Sequence, residues 1–166
     1  MAKYYINQKY SIRDRFKILD ENQQEAFFAQ GKFLSFGKEI KLYAVDGQEL
    51  LLIRGKVVSI LSSYDFYIGT ELLCTMKQQV AFFKNKYTIV TPSWRIEGSV
   101  WDVDYEIVED NQVIARVHKK WFSWMDAFEI DVFEESYTEL LSGIVIAMDA
   151  DLSKSESRGF LFDLLT

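Results

Sequence analysis

Three residue types that build many functional sites are almost missing from this chain of 166 residues, which has one cysteine, one proline and one histidine. Cys74 has no partner in the chain for an intramolecular disulfide. Without a second histidine or a cysteine cluster, the sequence offers no ligand set of the kind that zinc or copper requires. We therefore predict no metal site and no cofactor. The lone Pro92 leaves no proline-rich linker, which favours one compact domain.

Long apolar runs are also missing. The opening segment, MAKYYINQKYSIRDRF, lacks the apolar core of a secretion signal. The longest apolar stretch with helical spacing, residues 140–148, is much shorter than the roughly 20 residues that cross a bilayer. We expect a cytoplasmic protein that does not span a membrane. Peripheral attachment to a membrane surface stays open.

Basic residues are outnumbered by acidic ones. The chain has 19 Lys and Arg against 25 Asp and Glu, which gives a formal net charge of −6 and a pI near 4.9. Proteins that bind nucleic acid usually need a basic surface that displaces counterions from phosphates. We therefore expect no nucleic-acid partner.

Hydrophobic residues make up 49% of the chain and aromatic residues 16%, and many of them belong to a sequence repeat. Residues 31–42, 55–66 and 78–89 align without gaps on residues 119–130, KKWFSWMDAFEI. Phe122, Trp124 and Phe128 fall in columns that are apolar in the other copies. We therefore predict that they pack in a core, with stacking on a base or sugar as the alternative.

The columns of the repeat alternate between apolar and polar with a period of two, which is typical of half-buried strands. One apolar column holds Phe27, Leu51, Cys74 and Ala115, and a polar column holds Gln30, Arg54, Lys77 and His118. Turn signals occur at 20–22, 46–47, 69–70 and 110–111, and a second set at 37–38, 62–63, 84–85 and 125–126. With a further strand pair at 94–96 and 100–103, the chain reads as antiparallel hairpins with about twelve strands. So many strands predict a closed antiparallel barrel.

The pattern changes after Glu135. Ser136 and Glu139 fit a capping box at the start of a helix, and residues 140–148 are apolar on nearly every face. A helix of this kind needs a fully enclosed position, so we place it inside the barrel with Ile144 and Met148 surrounded by strands. Asp149 is interpreted as a polar residue at the end of this helix. The expected domains are a barrel with a central helix, 1–151, and a tail, 152–166, whose apolar segment 159–165 packs on this chain or on a neighbour.

Several ordered motifs resemble those of the LURP-one-related family, which includes the YxjI-like proteins of bacteria. They are YSIRDRFKILDENQ, YDFYIG, IEGSVWDVDYEI and KKWFSWMDAFEIDV, followed by IVIAMDA, and together they run from about residue 4 to 151. The resemblance implies a fold similar to the tubby carboxy-terminal domain and the phospholipid scramblases, a mainly β, twelve-stranded barrel around a hydrophobic helix. It implies no catalytic residues. Tubby domains bind phosphoinositides, so the resemblance suggests lipid binding as one function.

The titratable residues that invite a catalytic role have simpler interpretations. His118 occupies the polar column of the repeat and is expected to face solvent, whereas Cys74 occupies an apolar column and is expected to be buried. Asp102 and Asp104 share one strand face and are expected to be solvated. We assign no catalytic, cofactor-binding or metal-binding residue.

The turns predict a charge asymmetry, because alternate turns of a strand meander lie at opposite ends of a barrel. One end collects acidic residues, and the other receives Lys38, Lys84 and Lys86, whose charge is diluted by Glu39, Asp65 and Asp126. These three lysines are our candidate rim for an anionic partner, either a phosphoinositide or other anionic lipid or an acidic protein. The alternatives are an enzyme whose cleft is formed by loops, and a scaffold without a ligand that forms an oligomer through its tail.

Overall fold

The computed structural model describes residues 1–7, 15–31, 39–58, 61–79, 86–90, 92–122 and 125–165. These residues form twelve strands followed by one long helix. The strands are β1 Ala2–Asn7, β2 Arg15–Asp20, β3 Glu25–Gly31, β4 Glu39–Ala44, β5 Glu49–Val58, β6 Leu61–Ile68, β7 Glu71–Gln79, β8 Lys86–Val90, β9 Trp94–Ser99, β10 Asp104–Glu109, β11 Gln112–Phe122 and β12 Met125–Val132. The helix, α1, is Thr138–Leu165.

All twelve strands pair antiparallel in one closed barrel, in which each strand pairs with its neighbours in the sequence. The barrel closes because β1 lies between β2 and β12, with Tyr4 opposite both Asp20 and Ile130. Among the described strands, closure leaves no exposed sheet edge that could pair with another chain. The predicted barrel of about twelve strands is confirmed.

Three predicted details of the strands are wrong. Residues 62–63 and 125–126 were expected to turn, but they lie in β6 and β12 and pair with β5 and β11. Residues 100–103 were expected to form a strand, but they form a tight turn in which the Val103 N–H donates to the Val100 carbonyl. The turn signals at 37–38 and 84–85 lie outside the described residues.

The interior of the barrel is filled by α1. Ile144 and Met148 are 0% and 1% exposed, which confirms that the helix is enclosed by strands. At Gly143 the helix lies so close to the wall that an added Cβ would stand 2.4 Å from a Leu51 methyl group. The predicted capping box is wrong in detail: Ser136 belongs to a 3₁₀ turn, Glu135–Tyr137, and its hydroxyl donates to Glu134.

The two ends of the barrel differ. One end, called the acidic end below, carries the turns β2–β3, β4–β5, β6–β7, β8–β9 and β10–β11, and α1 begins there. The opposite end carries the described turn 100–103. It also carries the strand termini that flank the undescribed segments 8–14, 32–38, 59–60, 80–85 and 123–124. Because α1 begins at the acidic end, its later residues approach the opposite end.

Candidate functional site

The structure places the acidic turn residues at one end, as the repeat predicted. They are Asp20, Glu21, Asp46, Glu71, Glu109 and Asp110. Some of these carboxylates shape their own turns, since Asp20 Oδ1 accepts hydrogen bonds from the Asn22 and Gln24 N–H groups. Glu134, Glu135 and Glu139, around the start of α1, add further negative charge to this end.

The candidate lysine rim is only partly within the described residues. Lys86 is the first residue of β8 and is exposed at the end opposite the acidic turns. Lys38 and Lys84 lie outside the described residues. Trp101, in the turn 100–103 at the same end, is one of the exposed large hydrophobic side chains. Asp102 and Asp104 do not share a strand face as predicted, because Asp102 lies in this turn and Asp104 begins β10; both are exposed, and Asp102 accepts a hydrogen bond from Ser99.

A cluster of charged side chains on the outer wall crosses the closure of the barrel. Glu129 is 2% exposed, and its two carboxylate oxygens each accept a hydrogen bond of 2.5 Å, one from Lys3 and one from Lys120. His118 Nε2 lies 3.2 Å from the same carboxylate, and Lys3 lies 3.3 Å from Asp131. Burial acts to raise the pKa of Glu129, but the hydrogen bonds from Lys120 and Lys3 outweigh it and lower the pKa below its usual value.

This wall cluster contains three side chains of types that bind metals. Ligand atoms of His118, Glu129 and Asp131 lie within 4.8 Å of one another. However, the ammonium groups of Lys3 and Lys120 already bind the Glu129 oxygens and neutralise them. The cluster therefore joins β1, β11 and β12 through ion pairs. The repeat did not predict this cluster, because Lys3 lies far from the other members in the sequence.

The same kind of pair recurs elsewhere on the wall. Lys56 and Asp65 occupy the columns of Lys120 and Glu129 in another copy of the repeat, and the Lys56 ammonium donates to the Asp65 carboxylate. Thr75 also donates to Asp65, at 2.8 Å. Burial acts to raise the pKa of Asp65, but these hydrogen bonds outweigh it, so the pKa is lowered.

Inside the barrel a buried carboxylate is held by two tyrosines. The Tyr64 and Tyr87 hydroxyls donate to the two oxygens of Asp151, at 3.0 and 2.8 Å. Burial and the nearby carboxylate raise the pKa of both tyrosines. Asp149, expected at a helix end, instead lies within α1, which continues without a break to Leu165. The helix was predicted too short because Asp149 and Asp151 interrupt its apolar pattern.

Next to this group is a small cavity of about 10 Å³, lined by apolar side chains together with Tyr105 and Asp149. It has room for about one water molecule. Phe128, from the aromatic segment, is buried and lines this cavity. The side chains of Phe122 and Trp124 lie outside the described part of the chain. Cys74 is buried as expected, and burial raises its pKa to about 12, which makes it a poor nucleophile.

Within the part of the chain that the structure describes, no helix combines the length and the hydropathy that crossing a bilayer requires.

Comparison with known proteins adds three findings. The family model described as LURP-one-related matches residues 2–149. A relative from Bacillus subtilis (strain 168), named uncharacterized protein YxjI, is 31% identical over 157 residues, which cover 94% of this chain and 97% of the relative. An X-ray structure of an Arabidopsis thaliana protein, 18% identical, matches with a TM-score of 0.65 over 90% of this chain and 91% of that chain. At that identity, the last match shows a shared fold.

Proposed function

We propose that this chain, which belongs to the LURP-one-related family, is a non-catalytic binding module that attaches to anionic lipid headgroups. The contact would be made by the end of the barrel opposite the acidic turns. The main support for this proposal is the segregation of charge between the two ends of the barrel. With its acidic turns collected at one end, a molecule of net charge −6 presents a less negative surface at the other.

The lysines of the candidate rim would supply the attraction. Lys86 is exposed at the start of β8, Lys84 is two residues earlier, and Lys38 immediately precedes β4. Each lysine near an anionic bilayer contributes roughly 1 kcal/mol of binding free energy, which decreases as salt is added. Two carboxylates on the neighbouring wall are already engaged by cations, Asp65 by Lys56 and Glu39 by Arg54.

Trp101 favours a lipid surface over an acidic protein as the partner. Its indole is exposed at the same end as Lys86. Tryptophan is enriched at membrane–water interfaces, where its ring contacts the acyl boundary and its N–H reaches the headgroups. A combination of lysines and an exposed tryptophan suits a surface that is both anionic and partly apolar.

The test is sedimentation of the purified protein with vesicles of phosphatidylcholine alone, with added phosphatidylserine, and with added phosphoinositide. We expect binding to the anionic vesicles, which weakens from low to physiological ionic strength. The double variant Lys84→Glu/Lys86→Glu should bind at least about thirtyfold more weakly, because the loss of two lysines alone removes roughly 2 kcal/mol and the new glutamates are repulsive.

The matched control reverses two exposed arginines elsewhere, Arg95→Glu/Arg116→Glu, and so changes the net charge equally. Equal losses in both double variants, or binding that ignores salt, would contradict the lysine rim. If polyglutamate binds at this rim but no vesicle does, the partner is an acidic protein and the lipid proposal is wrong.

A further inference from the structure

Among the described residues, exposed hydrophobic side chains are concentrated at the acidic end. Of the seven large ones that are exposed among the described residues, only Trp101 lies at the opposite end; the others are Met1, Val45, Ile68, Leu72, Val90 and Phe133. Four of them form what we call the apolar arc: Val45, Ile68, Leu72 and Val90, which are 61%, 53%, 51% and 44% exposed. Grouped exposed apolar side chains of this kind mark interaction surfaces.

The residues of the apolar arc belong to neighbouring strands and successive turns at the acidic end. Val45 lies in the β4–β5 turn, Ile68 and Leu72 flank the β6–β7 turn, and Val90 ends β8. Strands β4 to β8 are consecutive in the barrel. Every residue of these turns except 91 is described, and the longer undescribed segments adjoin strand termini at the opposite end.

The charge around the apolar arc is mainly negative. Residues 42–53, 57–76 and 87–94 contain no lysine or arginine, and the exposed Arg95, which follows the β8–β9 turn, is paired with Glu97 at 3.2 Å. Asp46 and Glu71 are exposed in the same turns, and Glu49 is paired with Lys41 on the wall at 3.0 Å. Such a surface repels anionic lipid and complements an apolar partner that carries positive charge.

The spacing of the turns indicates the shape of that partner. Successive turns of a strand meander are two strands apart, which is about 10 Å. Residues seven apart on an α-helix are separated by about 10.5 Å along its axis, on nearly the same face. A helix laid across three turns therefore presents one apolar residue to each turn.

We propose that the apolar arc docks a basic amphipathic helix of another protein. Its apolar face covers Val45, Ile68, Leu72 and Val90, and its lysines or arginines lie against Asp46 and Glu71. This interaction goes beyond the lipid contact and uses the other end of the barrel. The molecule would thereby connect a basic protein to an anionic surface.

The test uses a fluorescein-labelled synthetic helix of about 18 leucine and lysine residues, with leucines on one face, and measures its fluorescence anisotropy with the full chain. Two matched peptides replace all lysines by glutamate, or all leucines by serine. We expect both to bind at least tenfold more weakly than the leucine–lysine peptide. If all three peptides bind alike, the proposal is wrong.

Variants of the protein then locate the contact. Ile68→Ser/Leu72→Ser should weaken peptide binding about tenfold through the lost apolar contact, and Glu71→Lys should weaken it and reduce its salt dependence. Trp101→Ser, which removes an exposed apolar side chain from the opposite end, should leave peptide binding unchanged. These residues are exposed, so the variants should fold. If Ile68→Ser/Leu72→Ser has a lower melting temperature than the parent chain, Glu71→Lys alone is used for the test.

The same variants separate this proposal from the lipid proposal. Ile68→Ser/Leu72→Ser should bind anionic vesicles like the parent chain, whereas Trp101→Ser should bind vesicles less well. On peptide addition, amide chemical shifts should change in residues 44–49, 67–73 and 88–94. Changes confined to other residues would overturn the proposed site. The molecular mass in solution without peptide is a further check. If the parent chain is a dimer and Ile68→Ser/Leu72→Ser is a monomer, a second copy of this chain covers the apolar arc and the proposal is wrong.

Discussion

At the scale of single residues, the wall repeats one polar pair in three copies. Lys56–Asp65, Gln79–Thr88 and Lys120–Glu129 occupy the same two columns of the repeat, and in each the first residue donates a hydrogen bond to the second. The two columns place the paired side chains next to each other on the outside of the barrel. The residue types determine how strongly the two side chains interact. Ion pairs whose carboxylate is buried bind more tightly than the exposed amide–hydroxyl pair.

The interior shows the same repetition. Tyr64, Tyr87 and Phe128 share one apolar column, and all three are buried. Only the two tyrosines carry a hydroxyl, and both hydroxyls bind Asp151 of α1. The repeat therefore accounts for the position of the rings, and the choice of tyrosine provides donors for a carboxylate on a helix outside the repeat.

We predict that Tyr64→Phe/Tyr87→Phe lowers the free energy of unfolding at neutral pH by about 1–3 kcal/mol for each lost hydroxyl, because a buried carboxylate loses hydrogen-bond donors. The variant should also change the response to alkali. Burial first, and Asp151 second, raise both tyrosine pKa values above the usual 10.0. Below pH 10 both states keep the phenol protons; above it the unfolded chain loses protons that the folded chain retains, so stability falls with rising pH.

Urea unfolding between about pH 8 and 11.5 measures this slope. The free energy of unfolding of the parent chain should fall above pH 10. In the double variant it should fall less steeply, because two of the groups with raised pKa values are gone. It should still fall, because Tyr105 and Cys74 remain and their pKa values are also raised. Identical slopes for the two proteins would contradict the assigned role of the tyrosines.

At the scale of secondary structure, the helix and the barrel depend on each other. A barrel of this many strands needs interior side chains to fill it, and a helix that is apolar all round needs enclosure. Gly143 shows how close the fit is, since even a methyl group at that position would collide with Leu51. Neither element would be expected to fold alone.

We predict that Ile144→Asp prevents folding. Its side chain is fully buried, and a buried charge without a partner costs several kcal/mol, comparable with the whole stability of a domain, about 5–15 kcal/mol. Circular dichroism and thermal melting of the purified variant measure the effect. The same change at exposed Ile68 is the control and should be tolerated. A soluble Ile144→Asp protein with an unchanged melting temperature would contradict the enclosure of α1.

At the scale of the whole molecule, the last residues of α1 form a second apolar segment. The helix is 28 residues long, which corresponds to roughly 42 Å, and its last residues, 159–165, have the sequence GFLFDLL. We predict that this apolar segment packs on the barrel or on a second copy. Deletion of 159–166 should therefore lower the melting temperature or convert a dimer to a monomer.

Differential scanning calorimetry and light scattering test this prediction on the full chain and the truncated chain at several concentrations. A lower melting temperature at unchanged mass would indicate packing within one chain. A halved mass would indicate a dimer contact. No change in either quantity would show that the segment contributes to neither.

Much of the barrel was predictable from the sequence because its evidence is local. Alternation with a period of two, repeated columns and the turns at 20–22, 46–47, 69–70 and 110–111 each lie within a few residues, and all appear in the structure as predicted. The acidic end followed from the order of those turns. Local evidence failed at 62–63 and 100–103, because two serines are compatible with a strand and an alternating segment can still turn when its ends must connect neighbouring strands.

The sequence by itself therefore determined an antiparallel barrel of about twelve strands, the burial of residues 140–148 and the end at which the acidic turns meet. Only the tertiary structure decided that Lys3 shares Glu129 with Lys120, that Asp151 receives two tyrosine hydroxyls, and that Val45, Ile68, Leu72 and Val90 stay exposed at the acidic end. The reason is physical. Pairing and periodicity are properties of neighbouring residues, whereas these contacts form between residues far apart in the chain, which meet only when closure of the barrel brings β1 to β12 and encloses the helix.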